Sequence, residues 1–240
     1  MSNNRHFDEA YWQRRISDPD WYTELVPFAK ETVASLDRQG RDQFHKKIRH
    51  FFEEELLQGR VALADAGPNL DEQRKSIDTI VIHHTSADPG YRLSYMDAVQ
   101  LLNIYAPYYM NPTVREERHL KGSSIWSNHT RDGKQTFLAY HWLMRMDGSF
   151  ERLLPDESLG WHAGNWDINR RSVGICLDND YEDKDPDDAL LQKLAAHIKE
   201  HYPKVTPDKI VGHCECREGT ICPGNNFIAG WKPKLIEFLN

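Results

Sequence analysis

Ile77-Asp78-Thr79-Ile80-Val81-Ile82-His83-His84 is the stretch on which the reading of the fold turns. From Thr79 to Ile82 it is β-branched and apolar without alternation, the pattern of a central strand covered on both faces. Such a strand belongs to a layered α/β architecture rather than to a sheet with one wet face. C-terminal to it, Ser94 is placed to cap a helix carrying Met96, Val99, Leu102 and Tyr105 that ends near Pro107. Residues 111–135 are polar and long enough to serve as a lid or binding loop. Residues 136–146 read as a strand, Asp147-Gly148 as a hairpin turn with 150–154 returning, and 172–177 as a further strand. Asp185-Pro186-Asp187-Asp188 opens a helix through Leu191, Leu194, Ala195 and Ile198, its acidic first turn matched to the helix dipole. Residues 209–213 form a short strand. Residues 227–239 form a closing helix with Trp231, Leu235 and Phe238 on one face. Strands alternating with helices predict an α/β fold with a mixed central sheet flanked by helices.

Towards the N-terminus the pattern changes. Residues 60–76 are polar, with Gly67-Pro68-Asn69 as a turn signal, and read as a linker. They separate a helical N-terminal extension, residues 1–70, from the α/β domain, residues 76–240. In the extension a short helix over 9–16 precedes a helical hairpin. Its first arm is capped by Asp20, carries Leu25, Phe28, Val33 and Leu36, and stops at Gly40. Its second arm, 42–57, carries Phe44, Ile48, Phe51, Phe52 and Leu56. One apolar stripe per helix implies packing or contact with a protein partner. His45, His50, His119 and His129 read as solvated.

The chain has 240 residues, 39% hydrophobic and 28% charged, with a net charge of −7. That balance suits a globular domain and argues against a nucleic-acid binder, whose affinity rests on neutralising phosphates. It argues equally against a polybasic membrane-surface protein. No apolar run approaches the ~20 residues of a membrane helix, and residues 1–9 lack the apolar core of a signal peptide. The expectation is a protein that is cytoplasmic as synthesised, reaching any other site by a separate release or export machinery. Four cysteines are too few for a disulfide scaffold.

The chemistry-bearing residues gather at strand ends. His83-His84 closes the first strand, His213 closes a later one, and Cys222 follows it by nine positions. Zinc takes imidazole nitrogen and thiolate sulfur in a tetrahedral shell, and catalytic zinc keeps three protein ligands with one open position. Neighbouring strand residues point to opposite faces, so only one of His83 and His84 can serve such a site. Two rivals draw on the same residues. His213, Cys214, Cys216 and Cys222 could close a structural zinc site, although Cys-x-Cys is tighter than the usual spacing. Cys222 could instead act as a nucleophile with His213 as its base.

Five motifs appear in order. They are 80–85 (Ile-Val-Ile-His-His-Thr), 139–143 with Met146-Asp147-Gly148, 159–164 (Leu-Gly-Trp-His-Ala-Gly), 169–177 with its Ser-Val-Gly-Ile-Cys core, and Gly212-His213 with Thr220-Ile221-Cys222-Pro223-Gly224. As a set this resembles the type 2 N-acetylmuramoyl-L-alanine amidases, a family that includes phage lysozyme-type amidases and peptidoglycan recognition proteins. The resemblance implies a zinc ion held by His83, His213 and Cys222. It also implies a catalytic set of Tyr140, His162 and Thr220: the tyrosine for oxyanion work, His162 lining the cleft to donate a proton or bind the peptide or sugar, and Thr220 at a position matching the recognition proteins. The implied reaction is zinc-dependent hydrolysis of the amide between N-acetylmuramic acid and L-alanine, with peptidoglycan or muropeptide as substrate. The alternative is a module that binds such fragments without cutting them. Three departures stand out. Cys176 occupies the place where recycling amidases carry a catalytic glutamate. The His213–Cys222 spacing is one residue longer than usual, and about 50 residues separate the first two motifs.

Overall fold

The computed structural model describes residues 7–111 and 120–240. Seven strands form among them: β1 (Thr79–His84), β2 (Thr130–Arg131), β3 (Lys134–Gln135), β4 (Trp142–Met144), β5 (Phe150–Arg152), β6 (Ser172–Leu177) and β7 (Ile210–Gly212). Two compact units divide the chain: residues 1–69 with 92–137, and residues 70–91 with 138–240. The units are not consecutive, because the segment 92–137 leaves the second unit to join the N-terminal helices.

The first unit is built on α1 (Glu9–Arg15), α2 (Tyr22–Ala34), α3 (Arg38–Leu57), α4 (Leu93–Gln100) and α5 (Ala106–Met110). Its core is aromatic: Phe7 meets Trp12, Phe28, Phe44 and Phe51, and Trp21 lies against Phe52. Several local expectations are corrected here. Gly40 does not stop a helix. It sits in the first turn of α3, where its N–H donates to Asp37 Oδ1 at 2.8 Å, so Asp37 is the cap and the break falls before it. Asp20 does not cap α2 with its side chain, which pairs with Arg15 instead. Ser94 lies inside α4, whose cap position is Arg92. Pro107 does not end the helical run. The chain widens into a π-helical turn at Leu101–Tyr105, and Pro107 then falls in the first turn of α5, where no amide hydrogen is required. His129 is buried, 8% exposed, not solvated, and His119 lies outside the described residues. Part of the polar segment 120–137 is tied down: the Tyr22 hydroxyl donates to Ser123 O, and Gln135 bridges Ser127 N–H and Ala64 O.

The second unit is a five-stranded mixed sheet in the order β5-β4-β6-β1-β7. β4, β6, β1 and β7 are parallel, and β5 returns antiparallel at the edge. β4 is much shorter than residues 136–146, because the chain bends at His141. The hairpin at Asp147-Gly148 forms as expected, with Gly148 at φ 81°. In-register neighbours of parallel strands share a face, so Ile80, Val173, Ile82, Ile175 and Leu177 point one way. They pack against Leu191, Leu194 and Ile198 of the helix Asp188–His201 and against Trp231 and Leu235 near the C-terminus. The other face of the same two strands carries Thr79, Val81, His83, Ser172, Gly174 and Cys176. β1 thus forms as a strand buried at all six positions, because both of its faces are covered.

Candidate metal centre and catalytic residues

The site lies at the carboxyl ends of the parallel strands, within the second unit. β1 and β7 pair with Ile82 opposite Gly212. One step further puts His83 beside His213, at the ~4.8 Å spacing of adjacent strands. Their ring centroids are 4.8 Å apart. Gly212 has no room for a side chain, since a Cβ would lie 2.6 Å from the Phe227 ring. From Gly212 the chain turns into the short helix His213–Cys216. This helix is pinned by Glu215, which accepts the Gly212 N–H at 2.8 Å and pairs with Lys232 at 2.7 Å. The Cys214 N–H then donates to Cys222 O at 2.7 Å, closing the excursion and returning Cys222 to the strand ends.

Ligand atoms of His83, His213 and Cys222 all lie within 4.8 Å of one another. Cys222 Sγ is 3.7 Å from His83 Nδ1, and the sulfur accepts the His84 backbone N–H. Cys214 and Cys216 do not join this group. Cys216 Sγ is turned to Gly212 O at 3.5 Å, which leaves the four-ligand rival without a site among the described residues. His84 points to the opposite face, where its Nδ1 accepts the Tyr181 N–H at 2.9 Å. One histidine of the pair faces the cluster, as alternation requires, and it is His83.

Burial sets the electrostatics. His83 is fully buried and His213 partly so. Desolvation holds both imidazoles neutral, His83 well below its ordinary range and His213 at about 4. Burial pushes the Cys222 thiol up to about 12. Two neutral imidazoles and one cysteine sulfur, which would give up its proton to bind as thiolate, are the donor set zinc selects. One imidazole nitrogen of His213, Nε2, is buried with no hydrogen-bond partner among the described residues. A buried polar atom left unpaired calls for a partner of another kind. The residues present therefore fit a zinc ion.

Tyr140 reaches the same place through the bend before β4. Its ring centroid lies 4.9 Å from that of His83, and its hydroxyl donates to Cys176 Sγ. Burial beside two sulfurs raises the phenol well above its ordinary range, so it remains an O–H donor at neutral pH. Cys176 is itself buried and its thiol strongly raised, which keeps it protonated and unfit as a base. Thr220 is half-buried, with its hydroxyl accepting the Cys222 N–H at 3.2 Å. His162 is 4% exposed, and both ring nitrogens are engaged: Nδ1 with His83 Nε2 at 3.1 Å and Nε2 with Ser172 Oγ at 3.2 Å. Its ring lies edge-on to that of His83, with centroids 5.2 Å apart. His141 is buried and accepts the Gly174 N–H, a structural position. Ser172 and Gly174 lie inside the 169–177 motif, but the motif alone assigned them no role in the site. Their signal was present all the same, as small residues alternating with Val173, Ile175 and Leu177.

The Amidase_2 family model, described as N-acetylmuramoyl-L-alanine amidase, matches residues 73–225, well over half of the chain. The chain belongs to this amidase family. It is 31% identical over 102 residues to the 1,6-anhydro-N-acetylmuramyl-L-alanine amidase AmpD of Haemophilus influenzae. That alignment covers 39% of this chain and 55% of the relative, so the chain spans about half the relative's length. Among solved structures, a selenomethionine derivative of AmpD aligns with a TM-score of 0.46 at 21% identity, covering 75% of this chain and 94% of that one. The endolysin amidase LysCS from Clostridium intestinale URNW aligns with a TM-score of 0.42 at 22% identity, covering 69% and 86%. Among the described residues, no helix of this amidase-family chain is long and apolar enough to cross a membrane.

Proposed function

We propose that this protein hydrolyses the amide bond between N-acetylmuramic acid and L-alanine in peptidoglycan or soluble muropeptides, using a zinc ion held by His83, His213 and Cys222. The observation that carries the reading is the convergence of those three donors within 4.8 Å, with an unpaired His213 nitrogen among them. Family membership supplies the bond to be cut. When bound, zinc supplies Lewis acidity towards a carbonyl and a nucleophile at neutral pH.

The remaining work belongs to the chain's own groups. Tyr140, protonated at neutral pH, turns its hydroxyl from Cys176 to the carbonyl oxygen of the scissile amide. There a well-placed donor is worth about 3–4 kcal/mol as charge develops. Cys176 gives that hydroxyl a resting partner in the absence of substrate. Thr220 braces the ligand loop through the Cys222 N–H. The bundle of buried rings excludes water from the rear of the site, which strengthens each of these interactions.

The test is incubation of zinc-loaded protein with purified peptidoglycan and with a soluble muropeptide, with and without chelator, reading products by mass spectrometry. The expected result is release of peptides with a free L-alanine amine, abolished by chelator and restored by zinc. Zinc-loaded protein that binds muropeptide but releases no amine would overturn hydrolysis in favour of a binding module.

A further inference from the structure

The described residues contain a hydrogen-bond chain with a fixed direction. It starts at a backbone carbonyl and ends at His83. The Ser172 hydroxyl has one hydrogen, and it goes to Ile168 O at 2.7 Å. The hydroxyl therefore meets His162 Nε2 at 3.2 Å with a lone pair, and that nitrogen must carry the hydrogen. A neutral imidazole with hydrogen on Nε2 has a bare Nδ1. His162 Nδ1 lies 3.1 Å from His83 Nε2, so His83 must be the donor in that contact. His83 Nδ1 is then left bare, and it is this nitrogen that lies 3.7 Å from Cys222 Sγ.

The packing holds this order in place. Ser172 and Gly174 lie two apart on one face of β6, and the His162 ring rests on both. A Cβ at Gly174 would come within 2.8 Å of that ring, so the absent side chain is what admits it. The ring meets that of His83 edge-on, at an interplanar angle of 89° and a centroid distance of 5.2 Å, which aims one nitrogen at the other.

We infer that Ser172 and His162 act as positioning residues that set the tautomer of His83, reserving its Nδ1 for the metal. This rests on the zinc reading for its purpose but not for its geometry. Partners that fix the free nitrogen of a ligand imidazole typically govern metal affinity by ten- to a hundredfold. Neither residue touches substrate in this assignment, and His162 has no nitrogen left to pass a proton to the amide.

Two measurements on the full chain test the inference. Long-range proton–nitrogen correlation spectra of the metal-free protein report the tautomer of each imidazole. His83 and His162 are expected to carry hydrogen on Nε2, and hydrogen on Nδ1 of either ring would overturn the proposal. Chelator competition then gives zinc affinity for the wild type and Ser172→Ala. The variant is expected to bind about ten- to a hundredfold more weakly, while its cobalt-loaded form keeps the thiolate charge-transfer band of Cys222. Wild-type affinity in Ser172→Ala would also overturn it. Should the wild type take up neither zinc nor cobalt, the zinc reading fails and the imidazole spectra still decide the relay.

Discussion

The two faces of β1 and β6 use the same backbone for opposite purposes. One presents Ile80, Ile82, Val173, Ile175 and Leu177 to a helix layer. The other presents His83, Ser172, Gly174 and Cys176, where His162 and Tyr140 lie against the sheet. The apolar face obtains its stability from volume, through side chains that fill space. The chemical face obtains its geometry from small residues, which leave room for a second tier of functional side chains. The difference teaches that a strand buried on both faces can be redundant on one and exacting on the other. Substitutions should sort accordingly.

The sharpest contrast is expected from removal of a ligand. Cys222→Ala should abolish zinc uptake and bring muropeptide hydrolysis to background, while the metal-free protein melts close to the metal-free wild type. Metal analysis, product detection and calorimetry check the three parts. A variant that keeps zinc and activity would erase the distinction between the faces. On the opposite side, Ile175→Ala leaves a cavity in a fully buried core and should cost about 2–5 kcal/mol by denaturant unfolding. Its zinc affinity should be unchanged at temperatures where it is folded. A matching loss of zinc affinity would show that the faces are coupled through the strand.

Tyr140→Phe comes next in size. It deletes the donor without touching a metal ligand, and should lower kcat by about a hundred- to a thousandfold with zinc content and melting temperature retained. An active variant would move Tyr140 to a packing role and leave oxyanion stabilisation to other groups.

How legible all this was in the sequence depends on the range of the interaction. β1 and β6 were readable because a run such as 79–82 carries its burial in its own composition. Alternation along a strand allowed only one of His83 and His84 at the site, the family resemblance pointed to His83, and His213 needed only its place at a strand end. Positions decided by distant partners were not readable. Gly40 looked like a helix stop, yet Asp37 three residues earlier captures its N–H and starts a helix there. Pro107 looked like a terminator, yet a π-helical turn absorbs it. The segment 92–137 belongs with the N-terminal helices, a fact that neither its own periodicity nor the polar 60–76 stretch could reveal. His162 was visible as a site histidine, but not as one whose nitrogens are both spoken for. That depends on Ser172 ten residues away and His83 seventy-nine away.

The smallest effect probes the apolar face with a proton. His197 lies on the helix Asp188–His201, stacked on Phe150 with centroids 3.7 Å apart and edge-on to Trp142. It is 8% exposed, and its Nε2 has no partner among the described residues. Burial, with His201 and Arg152 nearby, lowers its pKa from the ordinary 6.5 to about 4. The folded state therefore prefers the neutral ring. This contribution is fully present above pH 6.5 and is lost as pH falls towards 4, because the unfolded chain takes up the proton first. The loss amounts to about 2 kcal/mol by pH 5. In His197→Gln the stacking on Phe150 is gone, so the variant starts less stable at pH 7. Its further loss between pH 7 and pH 5 should nevertheless be about 2 kcal/mol smaller than that of the wild type. Urea unfolding of both proteins at the two pH values, metal-free throughout, measures the difference. Parallel pH dependences would mean that the ring is solvated enough to charge in place, and that the apolar face is wetter at its β5 edge than the stacking implies.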